Sequence, residues 1–230
     1  MRMTKSRSAH APAPAAFLAG HAAVCEVGFS LIELLIVLLI FTVLTGAAMT
    51  LVVTAHKSLQ ARWSSSTALE GGLRAVNQMT REMRMAGFPS DKSFSTAAVT
   101  SHPGLVATPF VTASAYDLKF EADTDGDGQV EQIEYVLASG AQTIIRRSTL
   151  KNLNGTLATT TQVSTLFLDH VQNQILSQPL FSWDLDPSSS RPFPQNIRTI
   201  YINAILKPVG GQGGTAPNVT LAAACQRMNP

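Results

Sequence analysis

Two sets of carboxylates are spaced so that they could do chemistry. Asp123, Asp125 and Asp127 alternate in the run Asp123-Thr124-Asp125-Gly126-Asp127-Gly128-Gln129. That order matches the opening of a calcium loop, in which acids at positions 1, 3 and 5 converge on one ion and a glycine at position 6 permits the sharp turn. Gln129 then stands at the position that offers a main-chain carbonyl, Glu131 at position 9 and Glu134 at position 12. Spacing alone selects Glu134 as the closing ligand. Geometry prefers Glu131 or water, because a strand beginning at Val130 carries Glu134 about 16 Å from Gln129 at ~3.3 Å per residue. Seven of the acids fall between Asp117 and Glu134, with only Lys119 among them in opposition. Such crowding favours a bound cation. No cofactor is required on this reading; the ion the loop is suited to is Ca2+ in a structural role, against the plainer reading of a glycine-rich hairpin turn that binds nothing.

The second carboxylate stands alone. Glu33 opens an apolar run, and no charged residue occurs from Leu34 to Val53. Twenty helical residues rise about 30 Å, the thickness of a bilayer's hydrocarbon. An acid at the centre of such a segment costs roughly 2.5 to 3.5 kcal/mol, so it needs a partner or a role. A cleaved secretory signal explains the run poorly, because its apolar core would be shorter and its flank basic. Here Glu26 and Glu33 flank or enter the run.

The residues Gly28-Phe29-Ser30-Leu31-Ile32-Glu33, leading straight into the apolar helix, resemble the processing site of type IV pilins and of the pseudopilins of type II secretion. The resemblance implies a leader over 1–28, cleavage between Gly28 and Phe29 by a prepilin peptidase, and N-methylation at Phe29. It also implies that Glu33, the fifth mature residue, meets the terminal ammonium of an adjacent subunit. The partners implied are other pilins or pseudopilins, the peptidase, an inner-membrane assembly platform and membrane lipid. The implied location is the bacterial inner membrane, single-pass, with the carboxy-terminal domain periplasmic and later at a filament tip or in a pseudopilus. Met79 to Phe88 also resemble the end of the long helix in PilW-like minor pilins and J-type pseudopilins.

These sites need elements to hold them. A membrane and assembly helix is expected over 29–54, and an amphipathic continuation over 55–88 with Leu69, Leu73, Val76, Met79 or Thr80, and Met83 on one face. Glu70 and Arg74 form an i,i+4 pair, Gly71-Gly72 weaken the helix locally, and Gly87 before Phe88-Pro89 ends it. Residues 89–230 form a β-rich domain. Alternation marks strands at Tyr116 to Ala122 and Ile133 to Leu137, with Thr143 to Arg147, Leu180 to Leu185, Ile197 to Leu206 and Val219 to Asn229 as further candidates. Residues 89–115 and 208–217 read as loops. The fold class is α+β, a long helix packed on an antiparallel sheet in the pilin manner.

Composition narrows the function. The leader holds three of the 17 basic and one of the 15 acidic residues, leaving 14 of each, so nothing supports a nucleic-acid partner. The Arg146-Arg147 pair reads as a solvated strand end. Only Cys225 lies outside the leader, which excludes an internal disulfide in the processed chain. His56, His102 and His170 have no zinc spacing, and no G-x-S-x-G or H-E-x-x-H occurs, so no enzyme is expected. The function expected is that of a PilW-like minor pilin that initiates, primes or caps a type IV pilus. The alternatives are a J-type pseudopilin or, in another class, a membrane-anchored calcium-binding or adhesive domain or hydrolase.

Overall fold

A computed structural model describes residues 28, 30–208 and 217–228. The leader up to residue 27, Phe29 with its cleavage and methylation, most of the loop expected over 208–217, and Asn229 lie outside the described residues. The chain divides into two units, 1–49 and 50–230.

Within the first unit helix α1 (Leu31–Arg84) begins, with Glu33 in its first turn. Every described residue of α1 up to Gln60 is exposed. Leu, Ile, Val and Phe side chains are thus presented on all sides, far beyond the apolar patches of a soluble surface. Among the described residues this is the one helix long and apolar enough to cross a membrane.

In the second unit α1 is amphipathic, and its buried stripe is Gly72, Ala75, Val76, Met79, Glu82 and Met83. Leu69 and Leu73 are 40% and 45% exposed, so the face is rotated from the one the large side chains suggested. The reason lies at Gly72. A Cβ there would come within 2.3 Å of Leu221 Cδ1 and 2.6 Å of Leu206 Cδ1, so two leucines from elsewhere fill the place of its side chain. The glycine pair does not break the helix; Gly72 is a point of close packing. Glu70 and Arg74 do pair, at 2.5 Å, on the solvent side. Past Arg84 a turn leads to Gly87, whose φ of +82° suits glycine and whose N–H donates to the Glu121 carbonyl at 2.8 Å.

Five strands follow in a meander: β1 (Thr112–Ala113), β2 (Asp117–Ala122), β3 (Glu131–Ala138), β4 (Thr143–Leu150) and β5 (Val163–Leu168), antiparallel and in chain order. Period-2 alternation turns Leu118, Phe120, Ala122, Ile133, Tyr135 and Leu137 inward, as the sequence predicts. Phe110, Phe120, Tyr135 and Phe167 form a chain of ring contacts with centroids 5.0 to 6.4 Å apart.

The single sheet expected is two sheets. β6 (Phe181–Leu185), β7 (Ile197–Leu206) and β8 (Val219–Gln226) make a separate antiparallel layer in the order β6-β7-β8. Asn173, fully buried, ties the connection between the sheets to β7: its Oδ1 accepts from Ile205 N at 2.8 Å and its Nδ2 donates to the Asn203 carbonyl. Both sheets and the α1 stripe share one apolar core. The stretch expected as loops before β1 contains helix α2 (Thr96–Ser101), capped by Ser95. Beyond it, a Cβ on Gly104 would lie 1.9 Å from the Asn152 carbonyl oxygen, so backbone meets backbone and only glycine fits.

Candidate functional site

Glu33 sits in the first turn of α1 and is exposed. Among the described residues no cation pairs with it. The next charged residue along the sequence of the helix is Lys57, in the second unit. Gly28 is exposed, and Ser30 accepts the first helical bonds, from Glu33 N at 3.0 Å and Leu34 N at 3.2 Å.

The aspartate loop joins β2 to β3. Carboxylate oxygens of Asp123, Asp125 and Asp127 lie within 4.8 Å of one another, with Asp123 buried and the other two exposed. The loop's own donors hold them: Gly126 N and Gly128 N give to Asp123 at 2.7 and 3.0 Å, Asp127 N to Asp125 at 3.2 Å, and Gln129 N to Asp127 at 2.7 Å. The Gln129 amide nitrogen also reaches Asp127, at 3.1 Å. Glu131 stands at the loop's edge, accepting from Thr124 Oγ1 at 2.6 Å and Ser148 Oγ at 3.3 Å. Glu134 is turned to a different use on the outer face of the sheet, paired with Lys119 at 3.1 Å and Arg147 at 3.0 Å. Burial opposes its charge, but those two donors hold its carboxyl below the ordinary range.

The acids between Asp117 and Glu134 are therefore less unopposed than the local count implied. Strand pairing brings Arg147 opposite Glu134, and Lys151 reaches Glu121 at 2.7 Å with both side chains buried. Lys151 also donates to the Val106 carbonyl at 2.9 Å, while the second donor to Glu121 is Thr108 N at 2.8 Å. A lysine 30 residues away is invisible to a count of neighbours in sequence.

Asp117 is the acid left worst placed, with Oδ1 buried and without a hydrogen bond. Desolvation, then the charge on Glu134, push its carboxyl pKa up, against the pull of Lys119 and Arg147. A raised native pKa means that stability is lost as pH rises from the unfolded-state value through the native one. Asp117→Asn is accordingly expected to raise the melting temperature at neutral pH and to lose that advantage in acid, where the native carboxyl is protonated. Melting curves from about pH 3 to about pH 8 check this, and a variant less stable than the parent at neutral pH would contradict it.

Sequence reasoning missed a second polar group. Glu82, 4% exposed in the middle of the α1 stripe, accepts from Tyr135 Oη at 2.7 Å, Arg146 Nε at 3.0 Å and Gln78 Nε2 at 2.9 Å. Arg146 is no solvated strand end. It alternates with Ile144 and Ser148 and so faces inward, opposite Tyr135. Burial works against its charge, yet the Glu82 carboxylate outweighs that and raises its pKa; burial and the same carboxylate push the Tyr135 hydroxyl up, which keeps it a donor. A carboxylate at helical spacing inside an apolar stripe was the available signal. Cys225 is equally buried, its thiol pushed up to about 11 chiefly by desolvation, with Sγ 3.9 Å from Met83 Sδ.

No protein-family model, curated protein or solved structure matches the chain.

Proposed function

We propose that the chain is a PilW-like minor pilin, a non-catalytic structural subunit that takes part in initiating, priming or capping a filament after a prepilin peptidase has removed its leader. The observation that carries this reading is Glu33: a carboxylate within an apolar helix whose nearest charged neighbour along the helix is Lys57. A charge in hydrocarbon is tolerated when a counterion neutralises it. The helix supplies none close by, so another molecule must. An amino-terminal ammonium at Phe29 of an adjacent subunit has the right sign. The exposed apolar surface of α1 serves two solvents in turn, lipid before assembly and neighbouring helices after it.

Mass spectrometry of protein from its native host tests the reading. The expected amino terminus is Phe29 carrying one methyl group, about 14 Da above the unmodified residue. A mature protein that retains residues 1–28 overturns it.

Calcium enters the same reading as a structural ion. Ligands at 2.3 to 2.6 Å from an ion lie up to about 5 Å apart, and the three aspartate oxygens meet that limit. Asp123, Asp125 and Asp127 would hold it, with the Gln129 carbonyl and Glu131 or water completing the shell; Glu134 is committed elsewhere. The full chain in detergent is expected to melt higher in millimolar calcium than in chelator, and Asp125→Ala, which removes the ligand oxygen, to abolish the difference. Equal melting in both conditions removes the ion from the account.

A further inference from the structure

Three arginines gather around the second sheet, and among the described residues none makes an ion pair, although Asp186 acts on Arg198 and Arg227 through space. Arg198 lies near the start of β7, Arg227 just beyond the end of β8, and Arg191 in the connection between β6 and β7. Main-chain pairing brings the first two together, since Arg227 N donates to the Arg198 carbonyl at 3.2 Å. Arg198 and Arg227 line a polar cavity of about 430 Å³ with Asp186, Ser188, Gln226 and Met228. Arg191 lines a second cavity together with Asp91 and Gln195.

The Arg227 guanidinium is half-buried and incompletely used. Its Nη1 donates to the Gln195 carbonyl at 3.0 Å, while Nε is buried with no acceptor. Desolvation, then the charge on Arg191, weaken its hold on its proton, and Asp186 offsets this only in part. Asp186 is itself engaged by Ser188, whose N and Oγ donate to its Oδ1 at 2.9 and 2.6 Å. The one acceptor of this guanidinium is a neutral carbonyl, and Nε is closed off from solvent, so an anion in the cavity would be received by the Nη atoms and would offset the cost of a partly desolvated charge.

We propose that this cavity is a phosphate-binding site in which Arg198 and Arg227 receive the oxyanion from two sides, with Arg191 adding to the local positive charge. A carboxylate presents two oxygens, which one guanidinium fork already satisfies; two separate forks and the Gln226 amide call for the additional oxygens of a phosphate. The phosphate is either a free ion or the headgroup of a lipid. This site is independent of the role of Glu33.

The full chain in detergent is titrated with inorganic phosphate, and separately with soluble dihexanoyl phosphatidic acid, at ionic strength held constant with chloride. A saturable rise in melting temperature is expected, because a ligand bound only by the folded state stabilises it. The tighter of the two ligands identifies the source. Arg198, exposed on its strand, can be replaced without disturbing the core. Arg198→Gln is expected to weaken binding at least tenfold while leaving the ligand-free melting temperature unchanged, and Arg191→Gln to weaken it less. The proposal is overturned if neither ligand gives a saturable shift, or if Arg198→Gln binds as the parent does.

Discussion

Glu82→Ala is expected to destabilise the second unit by about 3 to 5 kcal/mol, the range for removing one partner of a buried ion pair. At roughly 2 to 4 °C per kcal/mol for a domain of this size, the melting temperature should fall by on the order of 10 °C. Three groups lose their acceptor together: the Tyr135 hydroxyl, the Arg146 guanidinium and the Gln78 amide. Arg146 suffers most, since it is left charged against an apolar core. Replacing both ends is expected to cost far less. Glu82→Leu combined with Arg146→Met removes the need for pairing, and buried pairs exchanged for apolar residues are often neutral or better. The double variant should therefore be more stable than either single one, a coupling that a double-mutant cycle measures directly. Thermal melts of the four proteins of the cycle and of Glu82→Ala decide it; a loss below about 1 kcal/mol for Glu82→Ala would mean that the group is solvated and replaceable.

Specificity is what the polar group adds. An α1 stripe of Gly72, Ala75, Val76, Met79 and Met83 is apolar and small-featured, and such a face could settle on a sheet in more than one register. Sliding α1 by one turn would bury Glu82 away from Tyr135 and Arg146. The cost of that misplacement selects a single docking.

This group also marks the limit of what the sequence discloses. Alternation located β2, β3 and β7 because each has one wet and one buried face, a property carried by neighbouring residues. Val163 to Leu168 escaped notice because β5 is a sheet edge whose first four residues are all exposed, so it lacks the contrast that alternation needs. The division into two sheets escaped for another reason: β7 pairs with β6 and β8 rather than with the meander, and strand partnership is set by the path of the chain. Large apolar residues point to a helix face through Leu69 and Leu73, whereas the contact is made at Gly72, where a side chain is absent. Charge was misjudged for a related cause. Lys151 and Arg147 oppose Glu121 and Glu134 across strands, at separations of 30 and 13 residues. Properties local in sequence were legible; pairings made by the fold were not.

On the pilin reading proposed above, Glu33→Gln is expected to leave the protein inserted and folded but to reduce its incorporation into a filament by about a hundredfold or more. The size follows from the pair that is lost: about 3 kcal/mol or more for a desolvated charge deprived of its partner, with each 1.4 kcal/mol worth a factor of ten. Glutamine matches glutamate in length and shape, so packing along α1 is unchanged. Insertion should if anything improve, because the neutral amide avoids part of the cost of a charge in a membrane helix, which is roughly 2.5 to 3.5 kcal/mol at the helix centre and less near its end. That opposite sign separates the two readings of the residue. If α1 were only an anchor, the variant would match or exceed the parent in membrane level and in every activity. If Glu33 receives a neighbour's terminal ammonium, membrane level holds while assembly fails. Glu33→Asp keeps the charge but withdraws it by one methylene, so it should fall between the two. Membrane fractionation beside quantification of the chain in sheared filaments distinguishes the cases, and parental incorporation of Glu33→Gln would sink the pilin assignment.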